Sequence, residues 1–162
     1  MSGTPRVWRA DIEEAEAVGG LLVGFRDHLG VTWPSANAFI AGVERLIEDP
    51  NTAFLLGTPH DDSPPMGVAQ VRFRYGIWWA AHDALLEDLF VREDARGTGV
   101  GRALVQGVVD LARERGCRRI ELDANEDNAA ALALYRSFGF DAQDDRYGGR
   151  NLFMRLRLGE RP

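Results

Sequence analysis

The apolar positions of this chain change period in an order that predicts alternating helices and strands. Pro5 to Ala10 reads as a short first strand. Asp11-Ile12-Glu13-Glu14 then has the form of a capping box, in which Asp11 caps an open helix end and Glu14 reaches back. Ala15, Val18, Leu21, Leu22 and Phe25 follow at three- and four-residue steps, one face of a helix. Gly30 to Pro34 interrupts the pattern. Ser35 offers a cap for a second helix with the stripe Phe39, Ile40, Val43, Leu46 and Ile47, and Pro50 ends it. Thr52 to Gly57 reads as a strand, and Pro59 to Pro65 as a polar turn. From Gly67 to Tyr75 the residues alternate, Val71 and Phe73 against Arg72 and Arg74, which predicts a further strand.

Ala84 to Val91 is of another kind. As a regular strand it points Leu85, Leu89 and Val91 one way and Leu86 and Phe90 the other. Both faces are apolar, so the strand is central. Glu87 and Asp88 interrupt it, one on each face. A glycine-rich loop follows, then a helix from Gly99 to Arg115 that buries Leu104, Val105, Val108, Leu111 and Ala112. A strand from Arg119 to Ala124 comes next, and strand–helix–strand order implies parallel pairing. Asn128 to Phe138 forms a last helix, stopped by Gly139. Two closing strands, 140–143 and 151–158, complete the expectation: one α/β (α+β) domain over residues 1–162, with a mixed sheet of six to seven strands, antiparallel before the loop, and about four helices.

Composition narrows the function. A net charge of −6 over 162 residues argues against a nucleic-acid partner, which calls for a basic surface. It suits a cationic substrate. The one cysteine, Cys117, reads as a small half-buried residue and permits no internal disulfide. His28, His60 and His82 are scattered, so no metal site is expected. Neither a signal peptide nor a membrane span is visible, and the expected location is cytoplasmic.

Chemistry enters with Arg96-Gly97-Thr98-Gly99-Val100-Gly101, set between a strand and a helix. Glycines leave backbone N–H groups open to a ligand, and the helix start adds a positive dipole end, a combination suited to pyrophosphate. Arg96 and Arg102 can add charge-assisted contacts. A phosphate-binding P-loop would need Gly-Lys-Ser/Thr, which is absent. A dinucleotide fingerprint would need G-x-G-x-x-G, and Arg102 stands where its third glycine belongs. Glu121 lies about where a ribose-binding acid would, but too little chain follows for the rest of such a domain. A plain turn remains open for the loop taken alone. In the last helix Asn128 and Tyr135 lie two turns apart on one face, ahead of Gly139-Phe140; for the pair taken alone, an N-cap and a half-buried core aromatic are the better account.

Together these motifs resemble the GCN5-related N-acetyltransferases (GNAT). The acyl-CoA loop of that family, Arg/Gln-x-x-Gly-x-Gly/Ala, is matched by Arg96 to Gly101, and Asn-x-x-Ala-x-x-x-Tyr followed by Gly-Phe is matched by Asn128, Ala131, Tyr135, Gly139 and Phe140. Leu86-Glu87-Asp88-Leu89-Phe90-Val91, with Trp79 upstream, is similar to the diamine (spermidine/spermine) acetyltransferase branch, although Leu89 replaces an aromatic residue there. The resemblance implies splayed central parallel strands, acetyl-CoA as cosubstrate, the primary amine of a small cationic molecule, polyamine- or amino-acid-like, as acceptor, and a homodimer. Its implied cosubstrate contacts are Leu89, Phe90, Val91, Arg96, Gly97, Thr98, Gly99, Val100, Gly101, Arg102, Asn128 and Tyr135. Trp79, Glu87 and Asp88 are implied at the acceptor.

Simple acid–base chemistry agrees. An alkylamine with a pKa of about 10.4 is almost wholly protonated at pH 7, so a base beside the thioester is useful. Glu87 is the candidate, with desolvation in an apolar strand expected to raise its pKa; an ion pair with Arg72 or Arg74 is the structural alternative for Glu87 and Asp88. Tyr135 is the candidate acid for the leaving thiolate, and a backbone N–H near Leu89 to Val91 for the oxyanion. Trp78 and Trp79 are candidate walls for an ammonium ion. Two rival functions share the motifs: acetylation of a protein N-terminus or lysine, and a non-catalytic acyl-CoA sensor.

Overall fold

The computed structural model describes residues 3–143, 148 and 152–160. Its packing divides the chain into two compact units, Met1–Leu122 and Asp123–Pro162. The first contains β1 (Arg6–Arg9), a 3-10 turn (Ile12–Glu14), α1 (Ala15–His28), α2 (Ala36–Ile47), β2 (Thr52–Thr58), β3 (Gly67–Gly76), β4 (Ala81–Val91), α3 (Val100–Glu114) and β5 (Ile120–Glu121). The second contains α4 (Ala129–Ser137).

Local sequence sets the helix starts. Asp11 Oδ1 accepts from Glu13 N at 3.0 Å and Glu14 Oε2 accepts from Asp11 N at 3.1 Å, which closes the capping box. Ser35 Oγ accepts from Ala38 N at 3.2 Å and caps α2. These bonds satisfy N–H groups that the helix itself leaves open.

The sheet runs β1-β2-β3-β4-β5. The first three pairings are antiparallel and β4–β5 is parallel. One face carries α1 and α2 over Phe54, Leu56, Val68 and Phe90, with Phe25 stacked on Phe90 at 5.3 Å between centroids. The alternate residues face α3, which buries Val100, Leu104, Val105 and Val108. Burying a side chain such as Leu104 contributes about 1.5–3 kcal/mol. Gly57 and Gly67 are register partners on that face. A Cβ on Gly67 would lie 2.8 Å from Val100 Cγ1, and one on Gly57 would lie 3.0 Å from the same atom, so α3 rests directly on the two glycines.

Three expectations are corrected. Among the described residues the sheet has five strands, not six or seven. Residues 140–143 form no strand, and residues 152–158 have no ladder partner among the described residues; Asn151 lies outside them. A strand exists only through a hydrogen-bonded neighbour, whatever its side-chain pattern. Here Leu152, Phe153, Met154, Leu156 and Leu158 are all exposed, so their apolar pattern marks no buried face. β5 is also shorter than the Arg119–Ala124 expected, because only Ala84↔Ile120 and Leu85↔Glu121 pair.

The third correction concerns β4. The register steps from Val71↔Leu86 to Gln70↔Asp88, so Glu87 faces no residue of β3. This is a β-bulge, with one extra residue in β4. Directly opposed residues share a face. Leu86 therefore joins Leu89 and Val91 on the α3 side, opposite Val71, Ala69 and Gly67, while Leu85 joins Phe90 on the other. The regular alternation expected across residues 84–91 breaks at Glu87, and both acids fall on the α1–α2 side.

Candidate active site

The loop after β4 begins with a 3-10 turn at Glu93–Ala95 and ends at Gly99, the N-cap of α3. Gly97 has φ 77° and Gly99 has φ 91°, left-handed values that favour glycine. The Thr98 hydroxyl donates to the Ala95 carbonyl, and Arg96 Nε donates to the Val91 carbonyl at 3.3 Å. Both side chains thus turn back onto the protein. The N–H groups from Thr98 to Arg102 belong to the loop and the first turn of α3, where a helix supplies no acceptor. No side chain on Gly97 or Gly99 screens them. The site fits a pyrophosphate.

Upstream of this loop, β4 is open. β5 pairs with it only at Ala84 and Leu85, so among the described residues Leu86 to Val91 have no ladder partner on that edge. The strand consequently offers unpaired backbone groups beside the glycine loop, and Leu89, Phe90 and Val91 all belong to this stretch.

Glu87 stands at the bulge. It is exposed, and its Oε2 accepts from Arg72 Nε at 3.0 Å. The desolvated setting expected for it is therefore absent, because the bulge turns it out of the α3 core toward Arg72. The two side chains are 46% and 30% exposed, and a pair so open to water contributes about 0–1 kcal/mol. Asp88 is half-buried and opposite Gln70 on the same side. Arg74 does not pair with Glu87: its Nη2 lies 3.0 Å from Glu121 Oε2. Arg119 Nε lies 2.7 Å from Glu121 Oε1 and 3.0 Å from the buried Asp83 Oδ2. Glu121 is thus held by arginines, and an antiparallel β1–β4 is not half of a dinucleotide-binding sheet, so that reading drops out.

Trp79 is half-buried and carries the Arg119 guanidinium 5.2 Å from its ring centroid, whereas Trp78 is 94% exposed. Sequence alone does not reveal the row Arg74–Glu121–Arg119–Asp83: Arg74, Asp83 and Glu121 lie on β3, β4 and β5, Arg119 stands just before β5, and only the register joins them. In the second unit, Asn128 Oδ1 accepts from Ala131 N at 3.2 Å and caps α4. Tyr135 packs edge-on against Phe140, and burial, with Asp123 nearby, raises its phenol above the usual range. Tyr135 therefore stays protonated well past neutrality. A separate cavity of about 810 Å³ lies between α1, Pro64–Pro65 and the end of β4; of the candidate site residues it touches only Phe90.

The sheet is mixed, and its fourth strand opens along one edge and leads into a glycine-capped helix. The chain belongs to the acetyltransferase (GNAT) family, whose model matches residues 13–140, and it is an N-acetyltransferase. It is 27% identical over 144 residues to an aminoglycoside N(6')-acetyltransferase type 1 of Stenotrophomonas maltophilia, covering 87% of this chain and 89% of that protein. It is 31% identical over 94 residues to a thialysine N-epsilon-acetyltransferase of Bos taurus, covering 57% of this chain and 54% of that one. A solved structure from Arthrobacter sp. FB24, provisionally assigned as an acetyltransferase, matches with a TM-score of 0.83 at 26% identity and covers 96% of each chain. Among the described residues no group of His, Cys, Asp and Glu is arranged to hold a metal, and no helix is long and apolar enough to cross a membrane.

Proposed function

We propose that this protein transfers an acetyl group from acetyl-CoA to the primary amine of a small molecule. The observation that carries the reading is the open edge of β4 from Leu86 to Val91, continuous with the N–H groups at the start of α3. Acetyl-CoA supplies the thioester. The backbone from Thr98 to Arg102 holds its pyrophosphate, Arg96 and Arg102 add charge-assisted contacts, and Asn128 is a further candidate contact to the cosubstrate. A backbone N–H in the stretch Leu89 to Val91 faces the carbonyl oxygen on which negative charge develops. Glu87 takes the ammonium proton on Oε1 or Oε2, directly or through water, and Asp88 and Trp79 help to hold the acceptor. Tyr135 Oη gives a proton to the departing thiolate, a role that its retained proton at neutral pH supports.

The same reading makes the protein a cytoplasmic homodimer, joined through the exposed apolar side chains of residues 152–158. Light scattering that returns 18.0 kDa, the mass of one chain, refutes the dimer. The activity is tested by incubating acetyl-CoA with a panel of small amines and following thiol release. Release that depends on the amine is expected. Acetyl-CoA binding without release for any amine or peptide would favour a sensor.

A further inference from the structure

We infer that the acceptor taken at Glu87 carries a carboxylate of its own, as an amino acid does, and that Arg72 is the residue that selects it. This rests on the reading of Glu87 as the site of the reacting amine.

The argument begins with the bulge. In a regular strand Glu87 would stand opposite Val71 and face α3; the extra residue brings it instead to the side of Arg72. The two then meet at 3.0 Å through Nε and Oε2. Among the described residues this is the one bond between them, so the terminal nitrogens of the guanidinium and the second carboxylate oxygen remain available to a ligand. A guanidinium fork fits a carboxylate better than any other common anion except phosphate. The pair is half open to water and weak, so a ligand that offers both an ammonium and a carboxylate can exchange with it, charge for charge. A bare diamine cannot. It would bring its cation to Glu87 and leave the Arg72 guanidinium without a counter-ion beside it.

The surroundings repeat this balance. The row next to the pair alternates Arg74, Glu121, Arg119 and Asp83, every member already in an ion pair. Each acid of the row is held by an arginine, and Asp83 keeps one buried oxygen, Oδ1, without a hydrogen-bond partner among the described residues. Leu85 is the register partner of both Arg72 and Glu121 and is half-buried, which gives an aliphatic floor between the charged groups for the methylenes of a side chain.

The experiment compares amines that differ only in the acid: lysine with 1,5-diaminopentane, ornithine with 1,4-diaminobutane, and alanine with ethylamine. Each is tested with acetyl-CoA by thiol release, for the parent, Arg72→Met and Arg72→Lys. In the parent, kcat/KM should favour the acid-bearing member of at least one pair by about tenfold or more. Arg72→Met should collapse that ratio toward one, mainly through KM for the amino acid, and Arg72→Lys should restore part of it. Arg72 is exposed, so melting curves should stay close to the parent's. Equal or better turnover of the decarboxylated amines by the parent overturns the carboxylate subsite and leaves acyl transfer to small amines standing. A ratio unchanged in Arg72→Met assigns the selection elsewhere and overturns the role of Arg72. Thiol release from neither member of any pair sinks both this inference and the activity on which it rests.

Discussion

The two halves of the candidate site are built by different rules. The loop from Arg96 to Gly101 and the first turn of α3 are made by neighbours in sequence: two left-handed glycines, a hydroxyl that folds back three residues, and a helix start. The acceptor side is made by residues far apart in the chain. Arg72 and Glu87 meet across two strands only because β4 carries one residue more than β3 can pair. The first half is a property of a segment, and the second is a property of a register. A substitution in the loop should therefore act where it is made, while a change in strand count near residue 87 should move chemistry without touching the loop.

The sharpest way to break this contrast is to remove the bulge. Deletion of Glu87 leaves Leu86 opposite Val71 and Asp88 opposite Gln70, a regular ladder with every buried residue on its present face. The shortened protein should fold, bind acetyl-CoA with near-parental affinity by calorimetry, and lose amine-dependent thiol release by about three orders of magnitude, the range of a lost general base. An unfolded product would show that the bulge supports the sheet.

Glu87→Gln keeps the bulge and removes the base. Its kcat/KM for a small amine at pH 7 should fall by about 10²- to 10³-fold, and the deficit should shrink as pH approaches the pKa of the amine, where the free base is abundant. A rate–pH profile that overlays the parent's at every pH rules out the catalytic assignment. A fall in melting temperature with turnover per folded molecule intact would reduce Glu87 to the ion pair with Arg72.

Tyr135→Phe should lower kcat by about 10²-fold with little change in acetyl-CoA binding. Burial and Asp123 favour the neutral phenol, so the group stays protonated below its unfolded pKa of about 10 and ionises only as pH rises beyond that. An activity limb that depends on its proton must then survive to at least pH 9 in the parent. Loss of the parent's kcat between pH 7 and 9, absent in Tyr135→Phe, would contradict this.

On the loop side, Gly97 sits at φ 77° with open space around its Cβ position, and Asn and Asp tolerate that conformation alike. Gly97→Asn should bind acetyl-CoA nearly as the parent does, whereas Gly97→Asp should lose about tenfold through like charge near pyrophosphate. Equal affinities by calorimetry would move the pyrophosphate elsewhere. The smallest effect concerns Cys117, whose thiol is raised by burial and by Asp83. It should react with iodoacetamide a few-fold more slowly than a free thiol at pH 8, because less of it is thiolate.

The same contrast separates what the sequence revealed from what it hid. The capping box at Asp11, the Ser35 cap, the stripe of α3 and the N-cap at Asn128 follow from bonds within a few residues, and each is where the pattern of residues puts it, except that Leu111 of the α3 stripe is only half-buried. The loop was legible for the same reason. The facing of Glu87 was not, because alternation assumes an unbroken period of two and one extra residue reverses every later position. The closing strands failed on related grounds: an alternating apolar run such as Leu152, Met154, Leu156 and Leu158 shows that a strand could form, and only a partner makes it one. The partner of Arg72 could be narrowed to two acids from sequence, and the register chose between them.

Gly57 and Gly67 carry a final consequence. They lie on β2 and β3 and are not themselves proposed to meet the acyl donor, yet Val100, the first residue of α3, is seated on both. A genetic screen for lost activity would recover alanine at these positions. Such mutants would be soluble, with the loop sequence and Glu87 intact, and would present as poor donor binders. A methyl group under the floor would have lifted the helix end that does the gripping, so a lesion in the sheet would be diagnosed as a lesion in the ligand site.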